Sequence, residues 1–194
     1  MTQLSSLHCA KAARKANSVL GQMAKAFQYR DKFNWVRLYT TYVRPHLEFA
    51  VQSWSPWYKR DIEVLEKVQI RAVNMVHGLH GLTYEEKLKA LNLTTLSDRR
   101  LRGDMIQVWK FVHHESIMDP QTFTSTKSQE SRHTRHTAKP LNLVIPQGRL
   151  EVRKNFFTVR AVSSWNSLPT WVQNSESMND FKINYDKFQK VLRR

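Results

Sequence analysis

The sequence predicts a mainly α-helical bundle that carries a small C-terminal β-hairpin and a final amphipathic helix. Several segments place apolar residues at spacings of three and four, which is the pattern of a helix with one buried face. Helix-capping sequences open three of these segments. The 194 residues are 41% hydrophobic and include six Trp, nine Phe and six Tyr, which is enough apolar material for a sizeable core.

The N-terminal region predicts two helices and a third that follows a proline. Apolar residues on one side of residues 3–27 predict the first helix, and their spacing over Asp31–Val43 predicts the second. Pro45 has no backbone N–H and disfavours helical geometry at Arg44, so a kink or a break is expected there. Residues 46–54 are expected to resume as helix and to end at the next Ser-Pro pair.

The middle of the chain has the clearest helix-start signals. Asp61 is expected to cap a helix that ends near Gly78. The sequence Thr-Tyr-Glu-Glu from Thr83 is a capping box that opens a short helix. A similar signal at Thr95–Asp98 opens a longer one. The predicted buried stripe of that longer helix is Leu101, Met105, Val108 and Val112.

The composition of the C-terminal third changes at residue 121 and again at residue 141. Residues 121–140 are polar, basic and rich in Ser and Thr. This composition predicts a flexible loop between a helical domain, residues 1–120, and a C-terminal domain, residues 141–194. Two short strands are expected as a hairpin across Gln147-Gly148. A short helix broken at Pro169 follows. The final helix carries the apolar stripe Phe181, Tyr185, Phe188 and Leu192.

The charge of the chain favours a polyanionic partner. There are 31 Lys and Arg against 16 Asp and Glu, a net charge of +15. The excess lies in residues 1–60, with ten basic and two acidic residues, and in residues 121–194, with thirteen and five. The field of such a chain attracts nucleic acid first and anionic membrane second. A basic face that only keeps the protein soluble is the simpler alternative.

The single cysteine, Cys9, excludes an internal disulfide and fits a reducing compartment. No apolar run approaches the roughly 20 residues that a membrane span needs, and residues 1–15 lack the apolar core of a signal peptide. A nuclear or cytoplasmic protein that is not secreted and has no membrane partner is therefore expected.

Three blocks of the chain resemble a known family. They are RLYTTYVRPHLEFAVQSWSPW, then DIEVLEKVQIRAVNMV with GLTYEEKLKALNLTTLSDRRLRGDMIQVWKFVH, and finally FFTVRAVSSWNSLPTWVQNSESMNDFKINYDKF. Together with KANSVLGQMAKAF ahead of them, they are similar to the region that follows the palm in reverse transcriptases of non-LTR retrotransposons, of the jockey and chicken-repeat LINE type. The likeness covers the chain from about Lys15 to Phe188. It implies a helical, thumb-like fold with the C-terminal tail.

The resemblance implies no polymerase activity for these residues. In the family, catalysis depends on palm carboxylates that include an Asp-Asp pair and bind two metal ions. This chain has seven scattered Asp and no such pair, and its one adjacent acidic pair, Glu85-Glu86, belongs to the capping box. No catalytic residue, metal site or cofactor is predicted. A fragment of a decayed element, or a remnant expressed by itself, is expected.

Basic clusters are the candidate binding residues. A polymerase thumb binds a duplex through its phosphate backbone, which requires positively charged side chains and no base-specific contacts. The predicted nucleic-acid-binding residues form three groups on the first helix, on the helix after Thr95 and around the hairpin. They are Lys11, Arg14, Lys15, Arg99, Arg100, Arg102, Arg149, Arg153 and Lys154.

Histidines, tryptophans and the cysteine are assigned structural roles. Pairs such as His77 and His80 lack the further Cys or His ligands that zinc requires, so they are interpreted as surface residues. Trp109 and Trp165 lie among apolar residues and are predicted to pack in the core rather than to stack on bases. Cys9 is predicted to be a small buried residue rather than a nucleophile.

The sequence-based hypothesis is a catalytically inactive fragment of an RNA-directed DNA polymerase. Its expected partners are RNA, DNA or their hybrid, bound without sequence preference, and other retroelement polypeptides are further candidates. Two alternatives stay open: a protein-interaction or structural remnant of a retroelement, and a non-functional translated fragment.

Overall fold

Helices form most of the chain. A computed structural model describes residues 2–113, 141–145 and 149–192. Its helices, in order, are α1 (Thr2–Ala26), α2 (Lys32–Leu38), a π-helix (Tyr39–Val43), α3 (Arg44–Glu48), α4 (Val51–Trp54), α5 (Lys59–Asn74), α6 (Tyr84–Ala90), α7 (Leu96–Val112), α8 (Glu151–Lys154), α9 (Phe157–Asn166), α10 (Thr170–Gln173) and α11 (Met178–Leu192). The predicted helical class is confirmed.

The chain divides into two compact units, unit 1 (Met1–Arg100) and unit 2 (Leu101–Arg194). Each unit has its own cluster of buried apolar side chains. The predicted polar loop at residues 121–140 lies outside the described residues.

Unit 1 is organised by α1 and α5, which pack side by side and run in the same direction. Ser6 donates to Asp61 at 2.6 Å, and Arg71 donates to Asn17 at 3.2 Å about ten residues further along both helices. The buried side of α1 consists largely of small residues, which let α5 approach closely. These residues include Cys9, Ala12, Ala13 and Ala16.

Helix α2 is fixed to α5 by a buried tryptophan. Trp35 is 2% exposed and its indole N–H donates to the carbonyl oxygen of Ala72 at 2.8 Å. Asp31 caps α2 by accepting hydrogen bonds from the backbone N–H groups of Phe33 and Asn34. The first residue of the predicted second helix is thus its cap, and the helix proper begins at Lys32.

Pro45 does not break the helix at Arg44, contrary to the sequence prediction. A π-helical turn precedes it, and the N–H of Arg44 donates to the carbonyl of Tyr39, five residues back. The wider turn gives the pyrrolidine ring room where an α-helical carbonyl would clash, so α3 continues from the π-helix. The chain instead breaks after Phe49, where Ala50 has a left-handed φ of 49°.

Two capping signals of the middle region, at Thr83 and at Thr95, correspond to real helix starts. Thr83 accepts from the N–H of Glu86, and the Glu86 carboxylate accepts from the N–H of Thr83, so the predicted capping box opens α6. Thr95 accepts from the N–H of Asp98 at the start of α7. Ser177 accepts from the N–H of Asp180 at the start of α11.

Asp61 is the exception among the predicted caps. The N-cap of α5 is Tyr58, and Asp61 lies in the first turn, 6% exposed, where it accepts a hydrogen bond from Ser6. A carboxylate in a first turn interacts favourably with the helix dipole, so the local signal was real. Its partner comes from α1, which the local sequence does not reveal.

The predicted C-terminal hairpin is wrong. No strand occurs in the ranges that the structure describes, and α8 and α9 occupy the place of the second strand, whereas Gln147-Gly148 lies outside those ranges. The backbone of Leu143 is instead bonded to the side chain of Asn166 through two hydrogen bonds of 2.9 Å. The Trp165 indole donates to the carbonyl of Leu141 at 2.9 Å. Side chains of α9 therefore supply the bonds that a partner strand would have made.

Helical spacing decides the conformation of residues 157–166. Phe157, Ala161, Val162 and Trp165 recur at helical spacing and are at most 9% exposed. By contrast, Leu150, in the predicted second strand, is 73% exposed. Helix formation buries the larger apolar set, which gains more free energy than a short exposed strand.

The core of unit 2 contains the aromatic residues that the sequence assigned to packing. Trp109, Trp165 and Phe181 are each fully buried, and Tyr185 is 3% exposed. The helix break at Pro169 is confirmed, because α9 ends at Asn166 and Pro169 is the N-cap of α10. The predicted stripe of α11 is buried at its first two positions, whereas Leu192 is 63% exposed.

Candidate nucleic-acid interface

Helix α1 presents basic side chains to solvent on the side opposite its buried face. Lys11, Arg14 and Lys15 are all exposed, and so is Lys25 further along the helix. At 3.6 residues per turn these four positions fall within about 100° of the helix circumference. The sequence-predicted group Lys11, Arg14 and Lys15 is therefore one basic stripe, and Lys25 lies on the same side of α1 nearer its C-terminal end.

Helix α5 extends this stripe into a wider surface. Lys67 and Arg71 are exposed and lie one turn apart, on the side of α5 away from Leu65 and Ala72. The hydrogen bond from Arg71 to Asn17 places the Arg71 guanidinium at the seam between the two helices. We call the surface formed by Lys11, Arg14, Lys15, Lys67 and Arg71 the α1/α5 basic face.

The surface continues from α5 towards α6. Asn74, one turn after Arg71, accepts a hydrogen bond of 2.7 Å from the ammonium of Lys87. Glu63, one turn before Lys67, is an exposed carboxylate that offsets part of the positive charge. Five cations against this carboxylate leave the α1/α5 basic face strongly positive.

Several carboxylates of unit 1 have partners away from this face. Asp61 is buried beneath Ser6, and Glu48 forms an ion pair with Arg99. Glu66 accepts hydrogen bonds from Tyr84 and from the N–H of Leu96. These partners leave few negative charges to compete with a polyanion at the α1/α5 basic face.

The three arginines at the start of α7 have protein partners. Arg99 forms a bidentate pair with Glu48, and Arg102 a bidentate pair with Asp186 at 2.7 and 2.8 Å. The hydrogen bond to Asp186 raises the pKa of Arg102 above its ordinary value. Arg100 is 5% exposed and donates to the Ser97 hydroxyl at 2.8 Å. The structure does not gather these side chains into an exposed phosphate-binding surface.

Arg99→Gln is therefore expected to affect stability rather than binding. Loss of a bidentate, charge-assisted contact with half-buried Glu48 should lower the free energy of unfolding by about 1–2 kcal/mol. Urea denaturation measures this change, and Arg37→Gln, at an exposed position of α2, is the matched control with an expected change below about 0.5 kcal/mol. Weaker DNA binding at unchanged stability would instead identify Arg99 as a phosphate contact.

The remaining predicted group lies in unit 2 and consists of Arg149, just before α8, and of Arg153 and Lys154, the last two residues of α8. All three are exposed. Lys154 forms an ion pair with Glu151 at 2.5 Å, and the Arg153 guanidinium lies 5.5 Å from the centre of the exposed Phe156 ring. The group is smaller than the α1/α5 basic face and contains its own counter-charge.

Cys9 and the possible metal ligands form no catalytic or metal site in the part of the chain that the structure describes. Cys9 is fully buried, as predicted, and burial followed by the nearby Asp61 charge raises the pKa of its thiol to about 11. A thiol with that pKa is protonated at neutral pH and is a poor nucleophile. Among residues 2–113, 141–145 and 149–192, no three His, Cys, Asp or Glu side chains converge as metal ligands.

The fold and the site define a basic helical protein with an exposed cationic surface on two parallel helices. Comparison with protein-family models, curated proteins and solved structures finds no match. None of the helices that the structure describes is long and apolar enough to cross a bilayer.

Sequence reasoning missed Lys67 and Arg71. Their spacing of four opposite an apolar stripe is visible in the sequence, but it is also the pattern of any solvated helix face. Only the parallel packing of α1 on α5 shows that these residues extend the stripe of Lys11, Arg14 and Lys15.

Proposed function

We propose that this chain derives from a retrotransposon RNA-directed DNA polymerase and binds the nucleic-acid backbone through the α1/α5 basic face, without catalysing polymerisation. Binding occurs through phosphates and has no sequence preference. The nucleic acids that it binds are RNA, DNA or their hybrid. The likeness of the sequence blocks to the region after the palm supports the origin, and the lack of an Asp-Asp pair supports the absence of catalysis.

The clustering of five exposed cations on two packed helices carries the proposal. Lys and Arg side chains on adjacent helices can contact several phosphates at once and release their counterions, which supplies most of the free energy of non-specific binding. Arg71 is already oriented at the seam by its hydrogen bond to Asn17, so less conformational entropy is lost when it contacts a phosphate.

The test compares variants with the same change of charge. The face variant Arg14→Gln/Lys67→Gln/Arg71→Gln removes three charges from the α1/α5 basic face. The control variant Arg37→Gln/Lys59→Gln/Lys89→Gln removes three exposed charges of unit 1 that lie outside this face. Binding to a fluorescent DNA duplex is followed by anisotropy at about 50 mM salt.

The face variant is expected to bind at least about 100-fold more weakly, because three phosphate contacts are lost. The control variant is expected to stay within about threefold of wild type, since charges that contact no phosphate act on the duplex only through salt-screened solvent. Equal losses in the two variants would show that net charge, and not this surface, determines binding.

Exposed aromatic side chains favour protein docking as a second candidate function. Phe33, Tyr42 and Phe49 are 67%, 57% and 76% exposed on the segment from α2 to the end of α3. Large exposed apolar side chains in one region are typical of interaction surfaces. Absence of DNA binding by the wild-type protein at low salt would favour this function over the first.

A further inference from the structure

We infer that the exposed Tyr29–His77 ring pair is a stacking site for an unpaired base of a single-stranded nucleic acid. The inference rests on the proposed function, because the α1/α5 basic face would hold the backbone of the same strand. It adds a specific ligand, an unstacked nucleobase, and a specific residue, Tyr29, that phosphate binding does not require.

The two rings are exposed and already stacked on each other. Their centroids are 5.5 Å apart and their planes differ by 16°. Tyr29 is 77% exposed, more than any other large hydrophobic side chain in the described residues, and His77 is also exposed. An aromatic ring in this position offers a flat apolar surface on which a base can stack.

Hydrogen bonds hold His77 to the backbone on either side of Tyr29. The backbone N–H of His77 donates to the carbonyl of Arg30 at 2.9 Å, and its ring Nε2–H donates to the carbonyl of Gln28 at 3.3 Å. These bonds join the loop after α1 to the loop after α5. The stacking surface is therefore formed before a ligand arrives, which reduces the entropy lost on binding.

The Arg30 side chain also fixes the loop after α1. Its guanidinium donates to the carbonyls of Phe27 and Ala24 at 3.1 and 2.7 Å and lies 5.4 Å from the centre of the buried Trp35 ring. The adjacent carboxylate, Asp31, accepts hydrogen bonds from α2, chiefly from Asn34, and these lower its pKa. The N–H groups at the positive end of α2 thus offset part of the repulsion between the Asp31 charge and a phosphate.

The ring pair lies at the end of the basic surface. Because α1 and α5 run in the same direction, their C-terminal ends lie side by side. His77 follows Arg71 by six residues, and Tyr29 follows Lys25 by four. A strand whose phosphates contact the α1/α5 basic face is led towards Tyr29, where it can place a base on the ring.

Only an unpaired base fits this geometry. In a duplex the faces of the bases are covered by their neighbours, and an aromatic side chain outside the helix reaches only base edges and backbone. In a single strand the bases can separate and stack on protein rings. We therefore expect the ring pair to increase the affinity for single strands only, while the α1/α5 basic face binds both single strands and duplexes.

The experiment measures the affinities of wild type, Tyr29→Ala and Tyr29→Phe for a single-stranded oligothymidylate of about 12 nucleotides and, in parallel, for duplex DNA. Tyr29→Ala is expected to weaken single-strand binding about tenfold, which corresponds to about 1.4 kcal/mol, and to leave duplex binding unchanged. Tyr29→Phe retains the ring and should bind like wild type. Tyr42→Ala, at another exposed tyrosine, is the matched control and should also bind like wild type.

A spectroscopic readout tests stacking itself. A strand with a central 2-aminopurine should lose fluorescence on binding to wild type and to Tyr29→Phe, and lose less with Tyr29→Ala. Equal single-strand affinity of wild type and Tyr29→Ala would overturn the stacking site and leave the proposed function intact. An equal loss of affinity for single strand and duplex in Tyr29→Ala would overturn the stacking site too, since removal of a stacking ring should not weaken duplex binding. Absence of all binding by wild type would overturn the proposed function together with this inference.

Discussion

Replacing Phe181 by alanine is expected to lower the free energy of unfolding of unit 2 by about 3–5 kcal/mol. Phe181 is fully buried at the start of α11. Its ring centroid lies 6.0 Å from that of Trp109, 5.9 Å from that of Trp165 and 6.0 Å from that of Tyr185. The substitution removes apolar contact with all three rings and leaves a cavity among large, rigid side chains that cannot collapse to fill it.

Ile183→Ala is the matched control on the same helix. Ile183 is 52% exposed, so its truncation should change the free energy of unfolding by less than about 0.5 kcal/mol. Urea denaturation followed by circular dichroism measures both values, and hydrogen exchange assigns the change to unit 2. Equal shifts for the two variants would contradict the burial of the α11 stripe.

The second large effect is expected at Gln69, the centre of a buried polar network in unit 1. Gln69 is fully buried on α5 and accepts a hydrogen bond of 2.8 Å from the Tyr39 hydroxyl. Its amide donates to the carbonyl of Thr94 at 3.0 Å and to the Tyr84 hydroxyl at 2.9 Å. Burial raises the pKa of Tyr39 well above its ordinary value, so its hydroxyl stays protonated and donates.

Gln69→Leu is expected to lower the free energy of unfolding by about 2–5 kcal/mol, because it leaves the buried Tyr39 hydroxyl and the partly buried Thr94 carbonyl without this partner. The shape of the side chain is nearly preserved, so the cost reports lost hydrogen bonds rather than lost packing. Gln22→Leu, the same substitution at an exposed position of α1, should cost less than about 0.5 kcal/mol.

A double mutant separates the hydrogen bond from the rest of the effect. Tyr39→Phe removes the hydroxyl that Gln69→Leu leaves unpaired, so the cost of the double variant should fall short of the sum by about 1 kcal/mol. Additive costs would show that the bond between Tyr39 and Gln69 contributes nothing to stability.

The elements that could be predicted from the sequence are those whose signals are local. The capping box at Thr83 and the start of α7 at Thr95 need only three neighbouring residues to form. The stripe of α7 is buried at Met105 and Val108 because helical spacing alone decides which residues share a face.

The errors occur where a distant residue or an uncommon backbone turn decides the outcome. Residues 141–143 form no hairpin because Asn166 and Trp165 bind their backbone groups, and these partners lie more than twenty residues away. The π-helix before Pro45 resolves a clash that propensity rules treat as a break. The basic residues follow the same rule: Arg99 is paired through Glu48, which lies 51 residues earlier in the chain.

The salt dependence of duplex binding tests the α1/α5 basic face most directly. With contacts to about five phosphates, wild type should give a log–log slope near −4.5, and each lost contact should reduce its magnitude by about 0.9. The face variant Arg14→Gln/Lys67→Gln/Arg71→Gln should therefore give about −1.8, while the control variant Arg37→Gln/Lys59→Gln/Lys89→Gln keeps the wild-type slope. A face variant with the wild-type slope would contradict phosphate binding at this surface.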